Sequence, residues 1–170
     1  MNTIEFERLE SATISAEQLA ALARVVLAAP AYSMTVKGRL PSLDEVPEML
    51  ADLPPGYALS EKFFYGIHAD GKMIGCADIL RGWKHARQSM VGLLLFDETF
   101  QGRGFGTLAC RKIEEIVRSW QGMESIRIGV NESNTKGFAF WRKMGFKETG
   151  ERSSLPDYIS DTIILEKPLW

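Results

Sequence analysis

A glycine-rich turn between an apolar run and an amphipathic helix constrains this chain more than any other feature. The segment FQGRGFGTLACRKIEEIVRSW, residues 100–120, carries Gly102, Gly104 and Gly106 at alternate positions. After these glycines, apolar residues recur at helical spacing on one face and charged residues line the other. Glycines leave the backbone N–H groups unobstructed, and a helix N-terminus attracts anions. The turn is therefore predicted to bind an anion.

The elements on either side of the turn predict a parallel pair of strands. SMVGLLLFD, residues 89–97, is a nearly continuous apolar run, as expected of a central strand buried on both faces. SIRIGV, residues 125–130, alternates in polarity as a further strand. A strand, a long helix and a second strand in this order form a βαβ crossover, whose strands run parallel.

The N-terminal segment predicts one strand and two helices. TIEFERL, residues 3–9, alternates at period two. A helix is expected to begin after Ser15, which forms a capping box with Gln18, and to stop at Pro30. A shorter helix is expected to be capped by Ser42 and to end at the Pro-Pro-Gly that follows.

The remaining segments complete an α/β pattern. Two β-rich runs flank the turn Asp70-Gly71, which predicts a hairpin. A short helix is predicted after residues 131–137, followed by strands within 146–152 and 158–169. The order β-α-α-β-β-β-α-β-α-β-β over residues 1–170 predicts one α/β domain, a mixed sheet with helices on both faces.

Composition and charge exclude several classes of function. The chain has 20 Lys and Arg against 22 Asp and Glu, a net charge of −2, unlike the basic surface of a nucleic-acid-binding protein. No apolar run approaches the roughly 18 residues that a membrane span requires, and the N-terminus lacks the order of a signal peptide. Cys76 and Cys110 lie far apart without a metal-binding motif, which indicates buried thiols in a reducing compartment. A cytoplasmic location without nucleic-acid, membrane or metal partners is expected.

Two other interpretations of the glycine turn are weaker. A tight turn before a closely packed helix needs glycine, but three alternating glycines exceed that need. Residues 104–109 match the dinucleotide pattern G-x-G-x-x-A, but there the first glycine ends the strand. Here seven residues separate Phe96 from Gly104. No ATPase-type phosphate loop is present.

Two segments together resemble a known family. Gln101–Gly106 fits the pattern Q/R-x-x-G-x-G/A, and NTKGFAFWRKMGF, residues 134–146, follows the next predicted strand. The pair resembles the GNAT superfamily of acyl-CoA-dependent N-acyltransferases, in which the glycine motif binds the pyrophosphate of the coenzyme. This chain departs from the pattern with Gly137 where Ala is usual and Trp141 where many members carry Tyr.

The resemblance implies a GNAT fold, whose mostly antiparallel sheet is splayed at its centre. It also implies acetyl transfer from acetyl-CoA to the primary amine of a small molecule or peptide, by direct attack on the thioester. The pantetheine would bond to the backbone of Phe96, and the Leu94 N–H would stabilise the developing oxyanion. Oligomeric state is left open, a homodimer included. The cofactor-binding residues implied are Leu94, Leu95, Phe96, Gln101, Gly102, Arg103, Gly104, Phe105, Gly106, Thr107, Asn134 and Phe140.

The sequence does not identify one general base. An alkyl amine is on the order of one part in a thousand neutral at pH 7, so the site must supply the free amine. Some members place a Glu on the strand before the motif, but Met90 occupies that position here. The nearest alternatives are Asp78, Glu98 and Glu132, although such carboxylates are more often solvated at the surface.

The general acid is equally open. Trp141 stands where many members use a tyrosine hydroxyl, and an indole N–H cannot give up its proton near neutrality. Water or Tyr158 then remains as the proton donor for the thiolate. A non-catalytic acyl-CoA-binding module, in which Trp141 and the missing carboxylate reflect lost catalysis, is the alternative function.

Several residues carry two interpretations. Asn134 is expected near the cofactor, or as a cap of the following helix, or both. Phe138, Phe140 and Phe146 are expected in the core before any ligand contact. The acceptor pocket is predicted from the early helices, the loop around residue 83 and the last strands, with Tyr32, Asp78, Trp83, Asp157 and Tyr158.

Overall fold

A seven-stranded sheet organises the protein in the computed structural model, which describes residues 1–170. The strands are β1 Glu5–Leu9, β2 Lys62–Ala69, β3 Lys72–Arg81, β4 Gln88–Phe96, β5 Ser125–Asn131, β6 Lys147–Ser153 and β7 Thr162–Pro168. The helices are α1 Ala16–Leu27, α2 Pro30–Lys37, α3 Glu45–Ala51, α4 Phe105–Ser119 and α5 Thr135–Lys143. The strand order is β1-β2-β3-β4-β5-β7-β6, and only β4 and β5 run parallel. The predicted α/β fold and its βαβ crossover are confirmed.

Helices cover both faces of the sheet, and each face carries its own apolar cluster. On one face α4 packs Ala109 and Ile113 against a cluster that includes Ala77 of β3. On the other face α1 packs Leu22 against a cluster that includes Cys76. Neighbouring residues of a strand point to opposite faces, so β3 contributes to both clusters.

Helix α2 corrects the prediction that Pro30 only ends a helix. The capping box of Ser15 and Gln18 begins α1 as predicted, but Pro30 is the first residue of a new helix. Proline suits that position because its missing N–H would have no helical partner there. The neighbouring N–H of Ala31 donates to Glu98 Oε1 at 2.7 Å. Glu98, a predicted candidate base, thus stabilises the start of α2.

Helix α3 begins later than its sequence predicts. The helix starts at Glu45 after Asp44, and Ser42 does not cap it. The Ser42 hydroxyl instead accepts a hydrogen bond from the Asp44 N–H at 3.3 Å. Pro47 falls in the first turn, where no N–H has an intrahelical partner, so it does not break the helix.

Strands β4 and β5 separate halfway along their length. Their pairing joins Gln88–Val91 to Ser125–Ile128 and ends there. Just beyond, Asp78 of β3 pairs with Leu93 while the next residue of β3 pairs with Val91, which leaves Gly92 as the extra residue of a bulge. A bulge bends its strand, so β4 leaves β5 directly after Val91 and a V-shaped groove opens.

The separation also corrects the prediction that β4 is buried on both faces. Gly92 is exposed, and Leu93 and Leu94 are only half-buried, whereas both ends of the strand are buried. The apolar run therefore contributes to the core at its ends and lines an open groove at its middle.

Two further predictions concern cysteines and membranes. Cys76 and Cys110 are free and buried, as predicted, and burial raises the pKa of Cys110 to about 12. No single helix is long and apolar enough to cross a membrane; α1 and α2 meet that test only as a pair bent by 64°. The cytoplasmic location stays a prediction.

Candidate functional site

A groove of about 520 Å³ lies between the separated strands β4 and β5. Residues 91–96 of β4 form one wall and residues 128–131 of β5 form the other. The predicted cofactor-binding residues that line it are Leu94, Leu95, Phe96, Gln101, Gly102, Gly106, Asn134 and Phe140. Trp141 of α5 lines it as well. The structure thus brings both segments of the sequence motif to one groove.

The groove wall on β4 offers unpaired backbone groups. Consecutive residues of a strand turn their N–H and C=O groups to alternate sides. Because pairing with β5 ends at Val91, those groups of residues 92–96 that face the groove have no strand partner. An extended chain with amide groups can bind there as an added strand.

The glycine turn has two different requirements for glycine. Gly102 and Gly104 have φ angles of +71° and +88°, a conformation that L side chains rarely adopt. Gly106 is helical, but a Cβ on it would lie 3.2 Å from the ring of Phe140. Gly102 and Gly104 therefore shape the turn, whereas Gly106 lets α4 approach α5.

The start of α4 presents unbonded N–H groups. The first helical hydrogen bond runs from the Leu108 N–H to the Gly104 carbonyl at 3.3 Å. The N–H groups of Phe105, Gly106 and Thr107 precede it and have no helical partner. Unbonded backbone donors at the start of a helix are suited to an anionic ligand.

Three side chains of the motif serve the turn itself. The Gln101 amide donates to the Phe96 carbonyl at 3.0 Å, which ties the turn to the end of β4. The Arg103 guanidinium lies over the rings of Phe100 and Phe105, 5.1 and 5.5 Å from their centroids. Because the Phe105 side chain is buried in the core, only its backbone can contact a ligand.

Asn134 caps α5 and also lines the groove, so both interpretations of it agree with the structure. Its side-chain oxygen accepts from the Gly137 N–H at 3.0 Å. A Cβ on Gly137 would come within 2.4 Å of the Asn134 amide nitrogen. Glycine in place of the family's usual alanine at residue 137 thus leaves space for the Asn134 amide that caps α5.

Trp141 lies in an aromatic stack at the groove. Its ring makes edge contacts with Phe140 and Phe146, with centroids 5.0 and 5.1 Å apart. Phe146 is buried in the core, whereas Phe138 and Phe140 are partly buried against it. Phe140 therefore contributes both to packing and to the groove.

A smaller cavity of about 190 Å³ adjoins the groove. The residues that line both spaces are Tyr32, Gly92, Leu93 and Leu95. Asp78 and Tyr158, both predicted from the sequence, line the cavity but not the groove. The bulge at Gly92 is therefore the place where the two spaces meet.

Asp78 forms a partly buried ion pair beside this cavity. Its Oδ2 lies 2.7 Å from Lys62 Nζ, and the Lys62 side chain is 4% exposed. Burial raises the pKa of Asp78 and Asp52 adds to the rise, while Lys62 opposes it. The second oxygen, Oδ1, is buried without a hydrogen-bond partner. A carboxylate in this environment is a stronger base than a solvated one.

Two tyrosines near Asp78 keep their protons at neutral pH. Burial raises the pKa of Tyr158, and Asp157 and Asp52 raise it further. Burial and Tyr158 likewise raise the pKa of Tyr32. Both phenols can therefore donate hydrogen bonds into the cavity.

Other predicted residues lie away from both spaces. The Glu132 carboxylate pairs with Arg152 at the surface and lines neither the groove nor the cavity. Trp83 stacks on Tyr57, with ring centroids 5.2 Å apart. Asp157 is exposed. Of the predicted acceptor pocket, only Tyr32, Asp78 and Tyr158 line the same cavity.

Sequence reasoning missed the polar residues contributed by α2 and the start of α5. Ser33 lines the cavity, and Thr35 and Lys136 line the groove. Ser133 joins the loop after β5 to α2, since its hydroxyl donates to the Thr35 carbonyl at 2.7 Å. The recognisable signal was Pro30, which suits the first position of a helix as well as it suits a stop.

Comparisons with known proteins agree with this geometry. The sequence model described as the acetyltransferase (GNAT) family matches residues 38–146. No curated protein matches the chain in sequence. An acetyltransferase structure from Thermus thermophilus has a TM-score of 0.74 at 22% identity, covering 98% of this chain and 97% of that one.

Two further solved structures have the same fold. The Salmonella typhimurium acetyl transferase that modifies the N-terminal serine of 50S ribosomal subunit protein L7/L12 has a TM-score of 0.76 at 16% identity, covering 98% of this chain and 95% of that one. A GNAT family acetyltransferase from Elizabethkingia anophelis with acetyl-CoA bound has a TM-score of 0.63 at 16% identity, covering 97% of each chain. These likenesses confirm the GNAT fold predicted from the two segments.

Proposed function

This chain belongs to the acetyltransferase (GNAT) family, and we propose that it transfers the acetyl group of acetyl-CoA to a primary amine by direct attack of the amine on the thioester. The groove carries the proposal. It joins the bare N–H groups at the start of α4, the unpaired edge of β4 and the cavity beside Asp78. Acetyl-CoA presents a diphosphate, an arm with amide groups and an electrophilic thioester in the same order.

The glycine turn holds the diphosphate in this proposal. The N–H groups of Phe105, Gly106 and Thr107 donate to its oxygens, and the dipole of α4 adds about 0.3–1 kcal/mol. Lys136, at the start of α5, lines the same groove and supplies positive charge. The turn needs no side chain to bind the anion, since its donors belong to the backbone.

The middle of β4 positions the reacting group. Its unpaired groups bond the amides of the arm, and the Leu94 N–H donates to the thioester oxygen as negative charge develops there. Tyr32 borders both the groove and the cavity, whereas Tyr158 borders the cavity alone. Tyr32 is therefore the better placed donor for the departing thiolate, with Trp141 holding the arm in place.

The backbone role of Leu94 gives a prediction of a small effect. Leu94→Ala keeps the N–H and removes a half-buried side chain, so we expect kcat and the affinity for coenzyme A to stay within about threefold of the parent. Steady-state kinetics and calorimetric titration measure the two quantities. A loss of about 100-fold in kcat in a folded variant would assign the role to the side chain instead.

The proposed reaction is tested by release of free thiol. The purified protein is incubated with acetyl-CoA and a panel of small amines, polyamines, aminoglycosides and peptides, and a thiol reagent reports coenzyme A. Amine-dependent release with an acetylated product supports the proposal. Binding of coenzyme A without release across the panel would favour the acyl-CoA-binding module, and thermal protection by NAD(P) alone would favour a dinucleotide site.

A further inference from the structure

We propose that the cavity of about 190 Å³ beside Gly92 is the acceptor site and that it takes a compact small-molecule primary amine. In this arrangement Asp78 receives the amino group, and Ser33 binds a hydroxyl or carbonyl group of the same molecule. The inference rests on the acetyl transfer proposed above and names its acceptor class.

The first observation is a pair of unsatisfied oxygens. In the whole chain, two buried side-chain polar atoms lack a hydrogen-bond partner, Ser33 Oγ and Asp78 Oδ1. Both residues line this one cavity, and Ser33 is 5% exposed. Buried polar groups are nearly always bonded, and a rotation of either side chain toward the cavity would let a polar group of a ligand bond to it.

The second observation is the charge around the cavity. Lys62 pairs with Asp78, and Lys37 pairs with Glu45 at 3.5 Å. Asp52 lies on the same lining and has no ion-pair partner within 4.0 Å. Three carboxylates, those of Glu45, Asp52 and Asp78, line the cavity, and Lys37 is the one cation among the lining residues. The lining therefore favours a ligand with positive charge.

The size and walls of the cavity limit the ligand further. A volume of about 190 Å³ corresponds to about six water molecules at ~30 Å³ each. Phe64, Met49 and Leu93 supply apolar wall. A compact amine with an apolar body fits this space, whereas a folded protein surface does not enter it.

The third observation is the position of the carboxylate relative to the groove. A Cβ built on Gly92 would lie 3.4 Å from Asp78 Oδ2, so the carboxylate lies directly against the bulge that borders both spaces. An amine held by Asp78 is therefore next to the stretch of β4 where the Leu94 N–H meets the thioester oxygen in the proposed reaction.

The proton and bond changes balance at this position. The ammonium gives one proton to the Asp78 carboxylate, and the nitrogen lone pair forms the N–C bond to the thioester carbon. The C–S bond breaks with its electrons on sulfur. After the attack the nitrogen carries two protons and a positive charge. One of these protons passes to sulfur through Tyr32, whose hydroxyl gives its own proton to the thiolate and takes one from the nitrogen, and Asp78 returns its proton to solvent.

The first test compares acceptors for the unmodified protein. Phenethylamine and tyramine differ by one hydroxyl, as do butylamine and 4-aminobutanol; spermidine and a hexapeptide with a free N-terminus complete the panel. We expect thiol release with the monoamines, and higher kcat/KM for the hydroxylated member of at least one pair. Release with spermidine or the peptide alone leaves acetyl transfer intact and overturns this inference. No release with any amine overturns the proposed function.

The second test uses variants of the two cavity residues. Asp78→Asn is expected to lower kcat/KM about 100-fold or more while coenzyme A affinity stays within about twofold. The loss in kcat/KM should be smaller at about pH 9.5, where a larger fraction of the amine is already neutral in solution. The matched control is Asp70→Asn, the same change in the turn of the same hairpin, which should behave as the parent.

Ser33→Ala keeps the inference testable if Asp78→Asn fails to fold, because it removes only an unbonded oxygen. We expect this variant to lose the preference for the hydroxylated amine and to keep turnover of the unsubstituted one. An unchanged preference, or an Asp78→Asn variant that binds coenzyme A and retains full turnover, overturns the inference.

Discussion

Gly104→Val is expected to raise the dissociation constant for coenzyme A about 100-fold or more. Gly104 has a φ of +88° and precedes α4 directly. Valine, which is branched at Cβ, strongly disfavours that conformation, so the backbone of the turn must change. The N–H groups of residues 105–107 then no longer point toward the same anion. Two lost hydrogen bonds to a charged group, at about 1.5–3 kcal/mol each, correspond to about 100-fold in affinity or more. Calorimetric titration with coenzyme A measures the change.

Gly122→Val is the matched control, at the opposite end of the same helix. Gly122 has a φ of +83°, and a Cβ on either Gly104 or Gly122 would meet nothing within 4 Å. Both variants therefore carry a similar strain of about 1–3 kcal/mol, and thermal unfolding should show similar losses. Only Gly104→Val should lose affinity. Equal affinities for coenzyme A in the two folded variants would remove the glycine turn from the binding site.

The sequence was sufficient where the decisive information is local. The glycines, the amphipathic pattern of α4 and the turn Asp70-Gly71 each determine their own element. The separation of β4 from β5 is different, because the apolar run that it interrupts is equally compatible with a strand buried on both faces. The bulge at Gly92 depends on how β4 pairs with β3, and the apolar sequence of β4 alone does not determine that register.

The pairing of Lys62 with Asp78 shows the same limit. The turn places Ala69 opposite Lys72. If this pairing continued without interruption, Lys62 and Asp78 would lie on opposite faces of the sheet. A bulge after Ile67 shifts the pairing by one residue, so that Lys62 lies opposite Leu80. A one-residue shift exchanges the faces, and the two side chains meet. The acidic centre of the candidate acceptor site thus depends on a bulge that local patterns do not predict.

This ion pair leads to the second large expected effect, a loss of stability in Lys62→Met. Removing one partner of a fully buried ion pair costs about 3–5 kcal/mol in the free energy of unfolding. The Asp78 side chain is 23% exposed, so we expect the loss here at about 3 kcal/mol, the lower end of that range. Lys147→Met changes an exposed lysine of β6 and should cost less than about 0.5 kcal/mol. Urea titration of both variants near neutral pH measures the difference.

The stability deficit of Lys62→Met should depend on pH in a defined direction. Burial raises the pKa of Asp78 and Lys62 opposes that rise, so the pKa in the folded variant is higher still. A carboxyl group whose folded pKa lies above its unfolded value contributes stability at low pH and loses it as pH rises through the folded pKa. The deficit should therefore be larger at about pH 8 than at about pH 5.

Adding Asp78→Asn removes the unpaired charge, so the double variant should recover most of the loss, since a buried pair replaced as a whole is often nearly neutral. A deficit that is independent of pH, or a double variant less stable than Lys62→Met, would show that the two side chains are not energetically coupled.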